Sequence, residues 1–129
     1  MGANGAVECH PFISEMETVL KQADTVIARS GASSLAEFAL FGLPALLVPY
    51  PHSTEAHQQS NALFFERHQA AKMVLEKDLS VSQLVSVITL WQRDTALRQR
   101  LCQASQQLGQ SKATHKVIDL LCHVQAGKT

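Results

Sequence analysis

The stretch Arg29–Glu37 reads R-S-G-A-S-S-L-A-E, and its residue types suggest anion binding. Gly31 permits a tight turn and a close backbone approach. A helix starting just after it would leave the backbone N–H groups of Ala32, Ser33 and Ser34 without carbonyl partners, which makes an anion site. A phosphate or pyrophosphate would fit there, and Arg29 would add charge beside it. Glu37 lies about one turn further on, where its carboxylate could accept hydrogen bonds from a vicinal diol such as a ribose. A plainer reading competes: Ser34 and Glu37 also match a capping box, which needs no ligand. Taken alone, the segment favours the plainer reading.

A second polar cluster follows in P-Y-P-H-S-T-E-A-H-Q-Q-S-N-A, from Pro49 to Ala62. Gln58 and Gln59 carry both donors and acceptors, which suits sugar hydroxyls. A solvated helix start explains them equally simply. His52 and His57 do not share a helical face, and no third ligand lies near, so no metal site is expected. His10, His68, His115 and His123 read as surface or capping residues. The chain has no GxSxG, P-loop, GxGxxG or HExxH pattern, so no catalytic set is visible. No cofactor is implied.

These clusters need a frame. Val7–Ile13 reads as a short strand, and Ser14 with Glu17 as a capping box opening a helix. Asp24–Ala28 is a β-branched apolar strand. The helix after the glycine turn stops at Gly42, with Pro44 close behind. Pro44–Tyr50 is apolar throughout, as a strand covered on both faces should be. A helix then runs through S-N-A-L-F-F-E-R-H, and Ala70–Glu76 is a fourth strand. Ser80 with Gln83 opens a helix, Asp94 opens another that Gly109 ends, and a last amphipathic helix covers about Ala113–Val124. The order β-α-β-α-β-α-β-α-α-α implies an α/β fold, a Rossmann-like parallel sheet flanked by helices. Its ligand site should lie beyond the carboxyl ends of the strands, where both polar clusters fall. Four strands are few for a doubly wound sheet, so the chain reads as part of a larger domain.

The totals agree with a single globular unit. A chain of 129 residues with 46% apolar and 17% charged side chains can build one core and not two. Residues 1–6, M-G-A-N-G-A, read as a flexible lead-in or expression remnant, with the domain over 7–129. Eleven basic and eleven acidic side chains cancel, which argues against a broad nucleic-acid surface. Three cysteines, Cys9, Cys102 and Cys122, are too scattered for a disulfide framework. Cys102 and Cys122 sit in helical patterns as buried thiols, which suits a reducing, cytoplasmic setting. No apolar run reaches transmembrane length, and no signal peptide is visible.

The combination of Arg29-Ser30-Gly31-Ala32, Ser34 with Glu37, Gly42-Leu43-Pro44 with Pro49-Tyr50, and His57-Gln58 with Asn61-Ala62 closely resembles the C-terminal half of the MurG glycosyltransferases. A weaker similarity runs from about Val7 to Val124 and includes P-F-I-S-E-M. The resemblance implies the second part of the C-terminal domain of a GT-B fold. It implies an inverting transferase that moves GlcNAc from UDP-GlcNAc to a lipid-linked muramyl-pentapeptide in peptidoglycan synthesis, at the cytoplasmic face of the inner membrane. By resemblance, Ile13 would meet the uracil through its backbone, and Ala32, Ser33, Ser34 and Leu35 would line the pyrophosphate beside Arg29, Ser30 and Gly31. Glu37 would bind the ribose, and Gln58 and Gln59 the GlcNAc hydroxyls. The family's first glycine-rich strand turn, its next strand–helix unit and its acceptor domain have no counterpart here. Gln69 stands where the family usually has glycine.

No transferase activity is therefore expected of this chain alone. Two other readings stand beside the first. One is a related GT-B GlcNAc transferase with another lipid acceptor, such as the dolichol-linked enzyme. The other is a non-catalytic module that forms a homodimer through an exposed strand edge. The role of Arg29 stays open between supporting the turn and pairing with a carboxylate.

Overall fold

A computed structural model describes residues 7–51 and 57–110. The lead-in, His52 and the helix expected over Ala113–Val124, with Cys122, His115 and His123, lie outside the described residues. Helix α1 (Met16–Gln22) precedes strand β1 (Val26–Ala28), α2 (Ala32–Leu40), β2 (Ala45–Leu47), α3 (His57–Arg67) and β3 (Ala71–Met73). A single 3₁₀ turn over Glu76–Asp78 leads to α4 (Val81–Arg93) and α5 (Thr95–Gln110). The strands pair in parallel in the order β1-β2-β3, with Val26 opposite Ala45 and Ala45 opposite Ala71.

The central strand shows why the segment is apolar throughout. All three residues of β2 are buried. Ala45 and Leu47 face a core with Leu35, Phe38, Phe65 and Leu108, whereas Leu46 faces Val74, Val87, Trp91 and Leu101. Alternate side chains of a strand point to opposite faces, so helices must cover both. α2 and α3 supply one layer and α4 the other, while α5 contributes Leu108 to the first core and Leu101 to the second.

Helix ends follow local chemistry in most places. Gly42 has φ +64, its N–H donates to Ala39 O (3.1 Å), and Leu43 N–H donates to Phe38 O (2.9 Å). This is a Schellman stop, for which a left-handed glycine is suited. Ser80 Oγ accepts from Gln83 N–H at 3.1 Å, and Asp94 Oδ1 from Leu97 N–H at 3.0 Å, so both helices open where expected.

Four expectations are corrected. Val7–Ile13 is irregular, not a strand. The described sheet is β1-β2-β3, and Val7–Ile13 pairs with none of its strands. Ser14 does not cap α1, which starts at Met16 after Glu15, and no side chain caps it. Nor is Ser34 a cap, because α2 starts at Ala32 after Gly31, again without a side-chain cap. Gly109 does not end α5, which continues to Gln110. A Cβ on Gly109 would lie 2.5 Å from the backbone oxygen of Ala39, so this glycine lets α5 approach α2 closely.

Candidate donor site at the strand ends

The carboxyl ends of the three strands bring together segments far apart in sequence. After β1 the chain turns through Arg29, Ser30 and Gly31 into α2. Gly31 takes extended backbone angles at the N-cap position, φ −67 and ψ 148. Ala32, Ser33 and Ser34 are therefore the first three residues of α2, whose N–H groups have no intrahelical acceptor. Leu35 N–H closes the first turn on Gly31 O at 3.0 Å. Ser33 and Ser34 are exposed, and α2 has no acidic residue in its first turn to occupy the positive end of its dipole.

Glu37 lies in the second turn of α2 and is half-buried. With Ser34 inside the helix, the capping-box explanation of these two residues falls away.

Ser30 is fully buried, and its hydroxyl donates to Gln58 O at 2.6 Å. Asn61 Nδ2 donates to Ser30 O at 3.0 Å. The turn after β1 is thus tied to the first turns of α3. Asn61 is 3% exposed, and its Oδ1 has no hydrogen-bond partner among the described residues. Gln58 Oε1 accepts from Tyr50 N–H at 2.9 Å, which leaves the amide N–H₂ of Gln58 as its donor. Gln59 is exposed.

Arg29 pairs with a carboxylate, the alternative that the sequence left open. Its Nη2 donates to Glu76 Oε1 at 2.5 Å. Nη1 lies 3.4 Å from Val48 O and 3.5 Å from Pro49 O, and Cζ sits 5.3 Å from the centre of the Tyr50 ring.

Ile13 takes part in none of these hydrogen bonds. It is half-buried in a cavity of about 540 Å³ whose walls come from the 8–22 segment, including Phe12, Glu15, Thr18 and Val19. No residue of the α2 turn or of α3 lines that cavity.

The family described as "Glycosyltransferase family 28 C-terminal domain" matches residues 2–119. The chain belongs to that family. A UDP-N-acetylglucosamine–N-acetylmuramyl-(pentapeptide) pyrophosphoryl-undecaprenol N-acetylglucosamine transferase of Lactobacillus johnsonii is 39% identical over 118 residues, covering 92% of this chain and 32% of the relative. The transferase of the same name from Shewanella woodyi is 35% identical over all 129 residues and 35% of its own length. The crystal structure of Acinetobacter baumannii MurG superposes with a TM-score of 0.72 at 30% identity, covering 90% of this chain and 33% of that one. The chain thus spans about a third of the length of the relatives it matches. The parallel sheet between helix layers is the Rossmann-like architecture of the C-terminal domain of this GT-B family.

Within this glycosyltransferase family 28 domain, sequence reasoning missed the groups that support the site. Tyr50 and Asn61 were legible only as motif letters, and Glu76 was read as the end of a strand. One signal was available: Glu76 follows β3, so it falls at the same edge of the sheet as the other two clusters.

Proposed function

We propose that this chain is the UDP-GlcNAc-binding portion of an inverting N-acetylglucosaminyltransferase. The whole enzyme would pass GlcNAc to a lipid-linked muramyl-pentapeptide at the cytoplasmic face of the inner membrane. The observation that carries this reading is the start of α2 at Ala32. It leaves the N–H groups of Ala32, Ser33 and Ser34 available to a pyrophosphate and frees Glu37 from any capping role. Donors at a helix N-terminus favour anions and stabilise charge as it develops on a leaving phosphate. In this reading Leu35 completes the turn around the phosphates, with Ser30 and Gly31 shaping it. Glu37 accepts from the ribose hydroxyls, Gln58 and Gln59 serve the GlcNAc, and Ile13 meets the uracil. The acceptor and the general base belong to the acceptor domain of the whole enzyme, so the chain alone binds without turning over. The names of the relatives support this acceptor over another lipid.

Calorimetric titration with UDP and UDP-GlcNAc tests the proposal. A carboxylate accepting ribose hydrogen bonds contributes about 1.5–3 kcal/mol, so Glu37→Ala should weaken both ligands by about 10- to 100-fold. Equal binding by wild type and variant would return Glu37 to a structural role. No binding by folded wild type would refute the donor reading for this chain.

The edge at β1, unlike that at β3, favours a second reading, self-association. On β3, Glu66 Oε2 accepts from Met73 N–H at 2.8 Å and so occupies an edge donor. On β1, Ile27 is 46% exposed and no described strand lies beyond it. An open apolar edge invites strand pairing. A sedimentation mass that stays monomeric at high concentration would exclude a homodimer through β1.

A further inference from the structure

We propose that Arg29 is a positioning residue for the sugar half of the donor site, acting through Tyr50 and Gln58; this rests on the donor-binding reading above. Its guanidinium lies where the three strand ends meet. It leaves the end of β1, meets Glu76 beyond β3 at 2.5 Å, and approaches Val48 O and Pro49 O beyond β2 at 3.4 and 3.5 Å. The same group sits over the Tyr50 ring at 5.3 Å. A planar guanidinium can serve a carboxylate, carbonyls and an aromatic face together, which a lysine ammonium cannot do.

What this brace holds is the backbone of Val48–Tyr50, just after β2. The next hydrogen bond along the chain runs from Tyr50 N–H to Gln58 Oε1, at 2.9 Å. That bond fixes the amide of Gln58 with its oxygen turned toward Tyr50 and its N–H₂ left to donate. Arg29 thereby orients the side chain that serves the sugar. The nucleotide half depends on other groups, namely the N–H groups at the start of α2 and Glu37. Glu76 neutralises the guanidinium, which makes Arg29 a poor direct ligand for pyrophosphate.

The test compares UDP with UDP-GlcNAc on the full chain. If Arg29 positions Gln58, Arg29→Ala should weaken UDP-GlcNAc about tenfold, the order of one lost hydrogen bond, and should change UDP less than about twofold because none of its bonds is lost. Arg29→Lys and Glu76→Gln should behave in the same way. If Arg29 instead bound phosphate directly, Arg29→Ala would weaken both ligands equally. Glu76→Gln, by releasing the guanidinium, would then weaken neither. That pattern overturns the proposal. Amide hydrogen exchange at Tyr50 supplies a readout independent of ligand, with faster exchange expected in Arg29→Ala. If folded wild type binds neither ligand, the donor reading falls. The Tyr50 amide then decides the brace alone, upheld by faster exchange in Arg29→Ala and overturned by unchanged protection.

Discussion

Gln69 occupies a backbone position that suits glycine, and replacing it should stabilise the chain. Its φ is +62, in the left-handed region that side chains rarely adopt. The reason is visible at the end of α3. Gln69 N–H donates to Glu66 O and Ala70 N–H to Phe65 O, both at 2.9 Å, the same Schellman pattern that Gly42 completes after α2. A side chain there costs about 1–2 kcal/mol. Glycine would lose that penalty but would add about 0.5–1 kcal/mol of unfolded-chain freedom. The difference favours Gln69→Gly by about 0.7 kcal/mol. For a domain of this size that raises the melting temperature by about 2–4 °C. The Gln69 side chain is exposed, so little packing is lost. Gln69→Ala keeps the Cβ and should give no such gain, which makes it the control. Thermal and urea unfolding followed by circular dichroism would measure all three proteins. A glycine variant no more stable than the alanine variant would refute the assignment of strain to this position.

Gly109→Ala should destabilise by at least about 1–3 kcal/mol, because its Cβ meets the rigid carbonyl of Ala39 rather than a side chain that can move; urea unfolding would show it. Ser30→Ala should cost about 1–2 kcal/mol, since it removes a 2.6 Å bond and leaves Gln58 O short of a partner. Burial, the largest influence, pushes the Cys102 thiol above its ordinary value near 9.0; Arg98 opposes this and Asp24 reinforces it. The folded state then holds its proton longer than the unfolded state, so this contribution is complete below about pH 9 and is lost as pH rises through the folded value. Stability should fall less steeply above pH 9 in Cys102→Ala. Peptide-resolved alkylation at neutral pH should label exposed Cys9 well before Cys102.

What could be read from the sequence was local. The burial of β2 follows from an unbroken apolar run, and the ends at Gly42, Ser80 and Asp94 follow from residues that make their own caps. The missed features depend on partners far along the chain. Val7–Ile13 has strand-like residues but pairs with no strand among the described residues. Gly109 looks like a terminator until α2 is packed against α5. Ser34 and Glu37 have capping-box spacing, yet Gly31 already takes the N-cap position, so the register is shifted by three residues. That shift removes the capping-box explanation for Glu37. The partner of Arg29 was hidden for the same reason: Glu76 is 47 residues away, and only the parallel order of the strands puts both at one edge.

The Arg29–Glu76 pair also shows why geometry matters more than charge at this edge. Its side chains are 47% and 39% exposed, and ion pairs so open to water contribute about 0–1 kcal/mol. Stability is therefore a weak reason for joining β1 to the turn after β3. Position is a stronger one. A sheet of three-residue strands fixes its carboxyl ends through few ladder bonds, and after Val48 N–H donates to Ala28 O at 2.9 Å the chain leaves the sheet. Arg29 fastens that exit to two other strand ends, while Ser30 and Asn61 fasten the start of α3 to the turn before α2. The turn before α2, the start of α3 and the backbone after β2 are then held to one another by side chains from Arg29 and Ser30, neighbours in sequence. Arg29→Ala should therefore loosen the backbone at Tyr50 with little change in melting temperature, whereas Ser30→Ala should lower the melting temperature. Equal losses of stability in the two variants would contradict this division of roles.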